Sequence, residues 1–224
     1  MSISEEPSVR QRHLRTLETI ARYEAVTKIA DLAGSIAQVG VGDGFGLVTL
    51  AELHDLVSPF KTSTLFFGFD TFIFYPHPEE DERHSVEQLA QSPNQRFAGD
   101  LLEAVLTRIR EYSSVSPFPH RTQSRFQLIE GPVEETLDDF DPSGTRFKLV
   151  EIDVNLRKGT RKALEVFYPL LTPGGLLIFG GYSSNDWPGE TDEVHQFLLR
   201  ESLRPLSFTR STYPSSYVVK PWIH

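Results

Sequence analysis

The feature that most constrains this chain is a repeated alternation. Short, largely apolar runs are separated by segments whose apolar residues recur at helical spacing. Ser35-Ile-Ala-Gln-Val39, Leu65-Phe-Phe-Gly-Phe69, Phe126-Gln-Leu-Ile129, Phe147-Lys-Leu-Val-Glu-Ile152 and Leu176-Leu-Ile-Phe179 read as buried strands. Between them, Leu47–Leu53, the stripe Leu101, Val105, Ile109 and the stripe Ala163, Leu164, Phe167, Leu171 read as helices. Strands that are apolar on both sides must be covered on both faces. The pattern therefore predicts a doubly wound α/β fold with a mostly parallel sheet. Ser207–Thr209 and Tyr217–Lys220 read as two terminal strands, which brings the expected sheet to seven, and a helix is expected around Val194–Leu198.

Outside this frame, residues 1–34 read as an N-terminal helical segment that either covers a pocket or makes a dimer interface, with Gly34 as its stop. Thr172-Pro-Gly-Gly175 reads as a turn. Residues 76–97, rich in Glu, Asp, Pro, Gln and His, read as a surface excursion, either a lid or a plain loop. The whole reads as a single domain of 224 residues.

Composition narrows the function. The net charge of −9 argues against a broad grip on phosphate backbones or anionic membranes. The absence of cysteine excludes disulfides, thiolate metal sites and a Cys nucleophile. No apolar run approaches the roughly 20 residues needed to span a bilayer, and the N-terminus has no signal-peptide pattern, so a cytoplasmic protein is expected. The seven histidines show no metal-ligand spacing.

Ligands of parallel sheets sit at the carboxyl ends of the strands. There the sequence places Gly40-Val-Gly-Asp-Gly-Phe-Gly46, Asp70, Glu130-Gly131, Asp153-Val-Asn155 and Gly180-Gly-Tyr182. The glycine loop follows a strand and opens a helix, which suits a ligand held close to backbone. It fails the G-x-G-x-x-G dinucleotide pattern in every register and lacks the G-K-[ST] of a phosphate loop. An acid at the end of the second strand, Asp70, can accept from the hydroxyls of a ribose. Loop and acid together point to a nucleoside cofactor without pyrophosphate, for which S-adenosylmethionine (SAM) qualifies.

Several segments carry a family likeness in the right order. Gln38-Val-Gly-Val41 with Gly44, Phe69-Asp-Thr-Phe72 followed by Pro76, Gly131 with Glu135-Thr-Leu137, Ile152-Asp-Val-Asn-Leu156 and Phe167-Tyr-Pro-x-Leu-x-Pro-Gly-Gly175 resemble the SAM-dependent O-methyltransferases of the macrocin type, which modify sugars of secondary metabolites. The likeness covers about Ala37 to Leu198. It implies a Rossmann-like class I methyltransferase fold. It also implies that Gln38 and the loop Gly40, Val41, Gly42 and Gly44 face the methionine part of SAM. Asp70, Thr71 and Phe72 would serve the ribose, Gly131, Pro132, Val133 and Glu134 would border the adenine, and Asp153 would lie beside the sulfonium.

The departures are as informative as the matches. The family builds a magnesium site from an Asp ending strand four and an Asp-Asp pair ending strand five. Here Asp153 is kept and the pair is Gly180-Gly181, so no metal is expected. An alcohol acceptor then needs a protein base, for which Asp153 is the candidate, with Asn155 and Tyr182 as orienting groups. Each of the two has a plainer reading, Asn155 as a helix N-cap and Tyr182 as a packed aromatic. Glu151, mid-strand, is expected to face away or to pair with a Lys or Arg. The leading function is a metal-independent small-molecule methyltransferase of secondary metabolism. The alternatives are an enzyme that cyclises SAM itself, releasing methylthioadenosine, and a non-catalytic SAM-binding partner.

Overall fold

The computed structural model describes residues 8–73, 79–80, 82–90 (for 88–90 the backbone alone), 100–116, 118–209 and 213–222. The elements run α1 (Val9–Lys28), β1 (Ser35–Val39), α2 (Phe45–Val57), β2 (Phe66–Asp70), α3 (Arg83–Ala90), α4 (Leu101–Ser114), α5 (Pro119–Gln123), β3 (Phe126–Glu130), α6 (Val133–Asp139), β4 (Phe147–Ile152), α7 (Arg157–Leu170), β5 (Leu171–Phe179), α8 (Pro188–Arg200), β6 (Leu206–Ser207) and β7 (Ser216–Val219).

The strands form one seven-stranded sheet in the order β3-β2-β1-β4-β5-β7-β6. The first five are mutually parallel, and β7 runs antiparallel to both β5 and β6. The alternation of side chains along each strand divides the core in two. Ile36, Phe66, Leu149 and Ile178 pack under α1, α2 and α4. Ala37, Phe67, Val150 and Phe179 pack under α6, α7 and α8. On the second side Phe167 meets Phe69 and Phe147 edge-on at 5.4 and 5.2 Å between ring centroids. The strand order reverses between β1 and β4, so the chain leaves these neighbours toward opposite faces and opens a crevice at their carboxyl ends.

Two expectations need correction. The turn at Thr172–Gly175 lies within β5. Phe147 pairs with Leu171 and Leu149 with Leu176, so a local irregularity absorbs the Pro-Gly-Gly segment, with Gly174 at φ 80°. The short helices α5 and α6 were not legible because neither is long enough to show a period. Of the 76–97 excursion, residues 76–78, 81 and 91–97 lie outside the described residues. Its described part is anchored: the buried Glu82 carboxylate accepts the Arg157 amide at 2.6 Å and caps α7, whose own N-cap, Leu156, offers no side-chain bond.

A polar network is buried at the amino ends of the strands. Lys148 Nζ meets His54 Nε2 at 2.9 Å, and His54 Nδ1 lies 3.0 Å from Asp55. Asp55 also accepts both terminal nitrogens of Arg125 at 2.8 Å and the Tyr112 hydroxyl at 2.5 Å. Burial, followed by the charges of Lys61 and Arg125, pulls the Lys148 ammonium down to about 8.

Truncating Phe167 to Ala removes the centre of the α7-side core. It is expected to cost about 3–5 kcal/mol of unfolding free energy, measurable by urea denaturation. A loss under ~1 kcal/mol would show that this side is not close-packed.

Candidate functional site

The glycine loop between β1 and α2 is fixed from three directions. Asp70 accepts the amides of Val41 at 2.6 Å and Gly42 at 2.8 Å on one oxygen and that of Phe72 at 2.8 Å on the other. Arg15 of α1 and Arg108 of α4 each reach Asp43 at 2.9 Å, and Arg108 also donates to the Asp43 carbonyl. Gly40, at φ 89°, lies so close to the end of β4 that a Cβ there would run into the Asp153 carbonyl.

A cavity opens above it. Of the residues expected to bind a cofactor, Gln38, Gly40, Val41, Gly42, Asp70, Thr71, Pro132, Val133, Glu134 and Asp153 line it, joined by Asn155. Gly44, Phe72 and Gly131 stand outside the lining. Gly44 starts α2 in a left-handed conformation against Val105, and Phe72 is buried in the core. Tyr182, expected as an orienting group, is placed elsewhere. Tyr182 also lies outside the lining, its ring packed 6.1 Å from Phe179 and its carbonyl taken by Ser215. The aromatic that does meet Asp153 is Tyr213, whose hydroxyl bonds the Asp153 carboxylate.

Asn155 is not the N-cap of α7, a position taken by Leu156. It sits in the left-handed region at φ 65°, with its amide bonded to Glu190 at 2.9 Å. Glu151 pairs with Arg22, as expected, but it also forms part of the cavity floor's support. Arg22 crosses from α1 to meet it at 2.6 and 3.1 Å, and Gln38 donates to it at 3.2 Å. Glu18 and Arg22 line the cavity, so α1 is one of its walls.

Four participants were missed in the sequence: Glu18, Arg22, Tyr213 and Glu190. The first two lie on the N-terminal helix, which was expected to cover a pocket or make a dimer interface without any of its residues being singled out. Tyr213 and Glu190 reach the site from segments 60 and 35 residues beyond their partners Asp153 and Asn155. No local pattern announces such pairs.

Burial, reinforced by the Glu190 charge, pushes the Asp153 carboxyl well above the usual carboxylate range, with the Tyr213 hydroxyl opposing. Glu190 is itself raised to about 7 by burial, against the amides of Gly181 and Asn155. Asp70 is raised by burial, opposed by the amides of Gly42, Phe72 and Val41. Two buried acceptors, Gln38 Oε1 and Asp153 Oδ1, have no hydrogen-bond partner among the described residues. A ligand bearing cationic and donor groups fits such a lining, and SAM bears both.

Of the three acids in the magnesium set of the family resembled above only Asp153 is present, and one of its oxygens accepts from the Tyr213 hydroxyl. Among the described residues no group of three acidic or histidine side chains could hold a metal ion.

No protein-family model and no curated protein sequence matches the chain. Solved structures do. The calicheamicin methyltransferase CalS11 superposes with a TM-score of 0.76 at 25% identity, covering 95% of this chain and 80% of that one. The fold is that of a class I methyltransferase. A second structure of CalS11, described as a TDP-rhamnose 3'-O-methyltransferase of calicheamicin biosynthesis, gives 0.71 at 23% identity over the same shares. The O-methyltransferase NovP gives 0.68 at 18%, covering 93% of this chain and 80% of that one. TomG from Streptomyces achromogenes, an O-methyltransferase of tomaymycin synthesis solved with SAM, gives 0.53 at 15%, covering 95% and 82%. Among the described residues no helix is long and apolar enough to cross a membrane.

Glu190 keeps its proton in the folded chain up to about pH 7, whereas the unfolded chain releases it near 4.5. Its contribution to stability is therefore full below about 4.5 and lost as pH rises through about 7. Relative to Glu190→Gln, whose amide does not titrate, the wild type is expected to lose stability across that window. Urea unfolding of both proteins at stepped pH reads this, and a flat difference would contradict it.

Proposed function

We propose that this chain is a SAM-dependent methyltransferase that methylates a hydroxyl group of a small natural product without a divalent ion. The observation that carries the reading is the pre-ordered glycine loop, anchored by Asp70 at the β1/β4 reversal, with acidic and acceptor groups around it. The likeness to CalS11, an enzyme described as acting on a sugar nucleotide, supports a sugar-like acceptor.

In this reading Gln38 and the Gly40–Gly42 backbone receive the methionine part. Asp70 keeps acceptor capacity on Oδ1 for a ribose hydroxyl, because that oxygen has one short bond only. Pro132, Val133 and Glu134 border the adenine. When bound, SAM supplies a methyl group activated by a sulfonium. The chain's task is to hold the acceptor oxygen in line and to take its proton. Asp153 is the group for that task. It faces the cavity, burial raises its proton affinity, which suits a base, and Tyr213 fixes its orientation. The metal-free character rests on the donor set, since Gly180 and Gly181 offer no side-chain oxygen.

The test is incubation of the purified chain with SAM, alone and with TDP-rhamnose or other hydroxylated sugar acceptors. Adenosylhomocysteine that appears only with an acceptor, and persists in EDTA, is the expected outcome. Methylthioadenosine from SAM alone would replace methyl transfer by cyclisation, and loss of turnover in EDTA would refute the metal-free reading. With a turned-over acceptor in hand, Asp153→Asn is expected to lower kcat by about 10²–10⁴-fold. An unchanged kcat would remove Asp153 from the chemistry.

A further inference from the structure

One carboxylate holds the ends of β4 and β5 together. Glu190, in the first turn of α8, is fully buried. Its Oε2 accepts the Asn155 amide at 2.9 Å and its Oε1 the Gly181 amide at 2.8 Å. Neither bond serves the start of Glu190's own helix. Both bind the two chain segments that carry the metal ligands in the family resembled above.

The fit around this carboxylate is tight. A Cβ at Gly181 would lie 3.2 Å from Glu190 Oε2 and 3.1 Å from Asn155 Oδ1, so a larger side chain there would press on the clasp, and one at Gly180 would lie 2.6 Å from Asp153 Oδ1. The clasp also supports a costly backbone. Asn155 occupies the left-handed region at φ 65°, which a non-glycine residue holds only when its surroundings fix it. Asp153, two residues earlier, and Asn155 itself both line the cavity.

We propose that Glu190 is a positioning residue that replaces a divalent ion in ordering this site: by binding the amides of Asn155 and Gly181 it fixes the Asp153–Asn155 wall against which the cofactor lies. The proposal rests on the cofactor reading above, and it assigns to Gly180-Gly181 a purpose, namely room for the clasp. Glu190 acts through Asp153 and Asn155 and does not itself line the cavity.

Amide NMR of the full chain tests it without an acceptor. Adenosylhomocysteine is expected to shift the signals of the Gly40–Gly44 loop and of Asp153–Asn155, while millimolar magnesium chloride leaves Asp153, Gly180 and Gly181 unmoved. In Glu190→Gln, an amide nitrogen replaces one acceptor oxygen and faces an N–H donor. At a pH above the Glu190 titration, where the carboxylate is charged, it holds the Asn155 and Gly181 amide signals downfield, and in the variant they are expected to move upfield. Calorimetry is expected to show affinity for adenosylhomocysteine reduced about tenfold, equivalent to about 1.4 kcal/mol.

Should that variant not fold, Gly181→Ala presses on Glu190 and Asn155 while leaving the carboxylate in place, and a loss of about three- to tenfold is expected. Affinity within twofold of the wild type in whichever variant folds, or magnesium-induced shifts at Asp153, Gly180 or Gly181, would overturn the proposal. No response of the wild type to adenosylhomocysteine would instead refute the cofactor reading, and the proposal with it. The upfield movement in Glu190→Gln would still report the clasp in that case, so the two failures are distinguishable.

Discussion

The site depends on backbone meeting backbone. At the reversal of strand order, the end of β1 comes so near the end of β4 that only glycine fits at position 40. That contact sets where the glycine loop leaves the sheet. Asp70, from β2, then gathers the loop's amides, and Arg15 and Arg108 grip Asp43 from the two helices above. Three strands and two helices converge on five residues of loop. The cavity is a product of this convergence, and its shape is set by hydrogen bonds within the chain itself.

The anionic character of the cavity follows from the same arrangement. Glu151 is buried within β4, and burying it alone would be prohibitive, so the chain sends Arg22 across from α1 to pair with it. That pairing fixes α1 as a wall of the cavity. Removing the guanidinium would strand a buried carboxylate. The N-terminal segment is made part of the site by this pair together with the Arg15–Asp43 contact and the burial of Ala21, Ala25 and Val26.

Much of this was legible in the sequence, for definite reasons. The five parallel strands are apolar on both sides, so their runs stand out. The residues that end them, from Gly40 to Asp153, lie where such sheets present ligands. What was illegible depends on reach across the chain. Glu190 is an acid in the first turn of a helix, indistinguishable by pattern from one that merely favours the helix dipole. Tyr213 lies in an irregular segment before β7, and nothing local ties it to Asp153. Tyr182 had the better sequence position and the wrong surroundings, because the Phe179 and Phe197 side of the core takes its ring. The Pro-Gly-Gly segment misled because strand pairing tolerates a local irregularity that local chemistry reads as a break.

The chain of Lys148, His54, Asp55 and Arg125 belongs to the far rim of the sheet, beneath the roots of the strands. Its members fasten α2, β4 and the entrance to β3 by bonds that share no residue with the cavity. The domain thus has two independent keystones, one per rim. Substitutions around the cavity can then proceed while the opposite rim keeps the sheet in register, so the lining is free to vary without first unseating the scaffold.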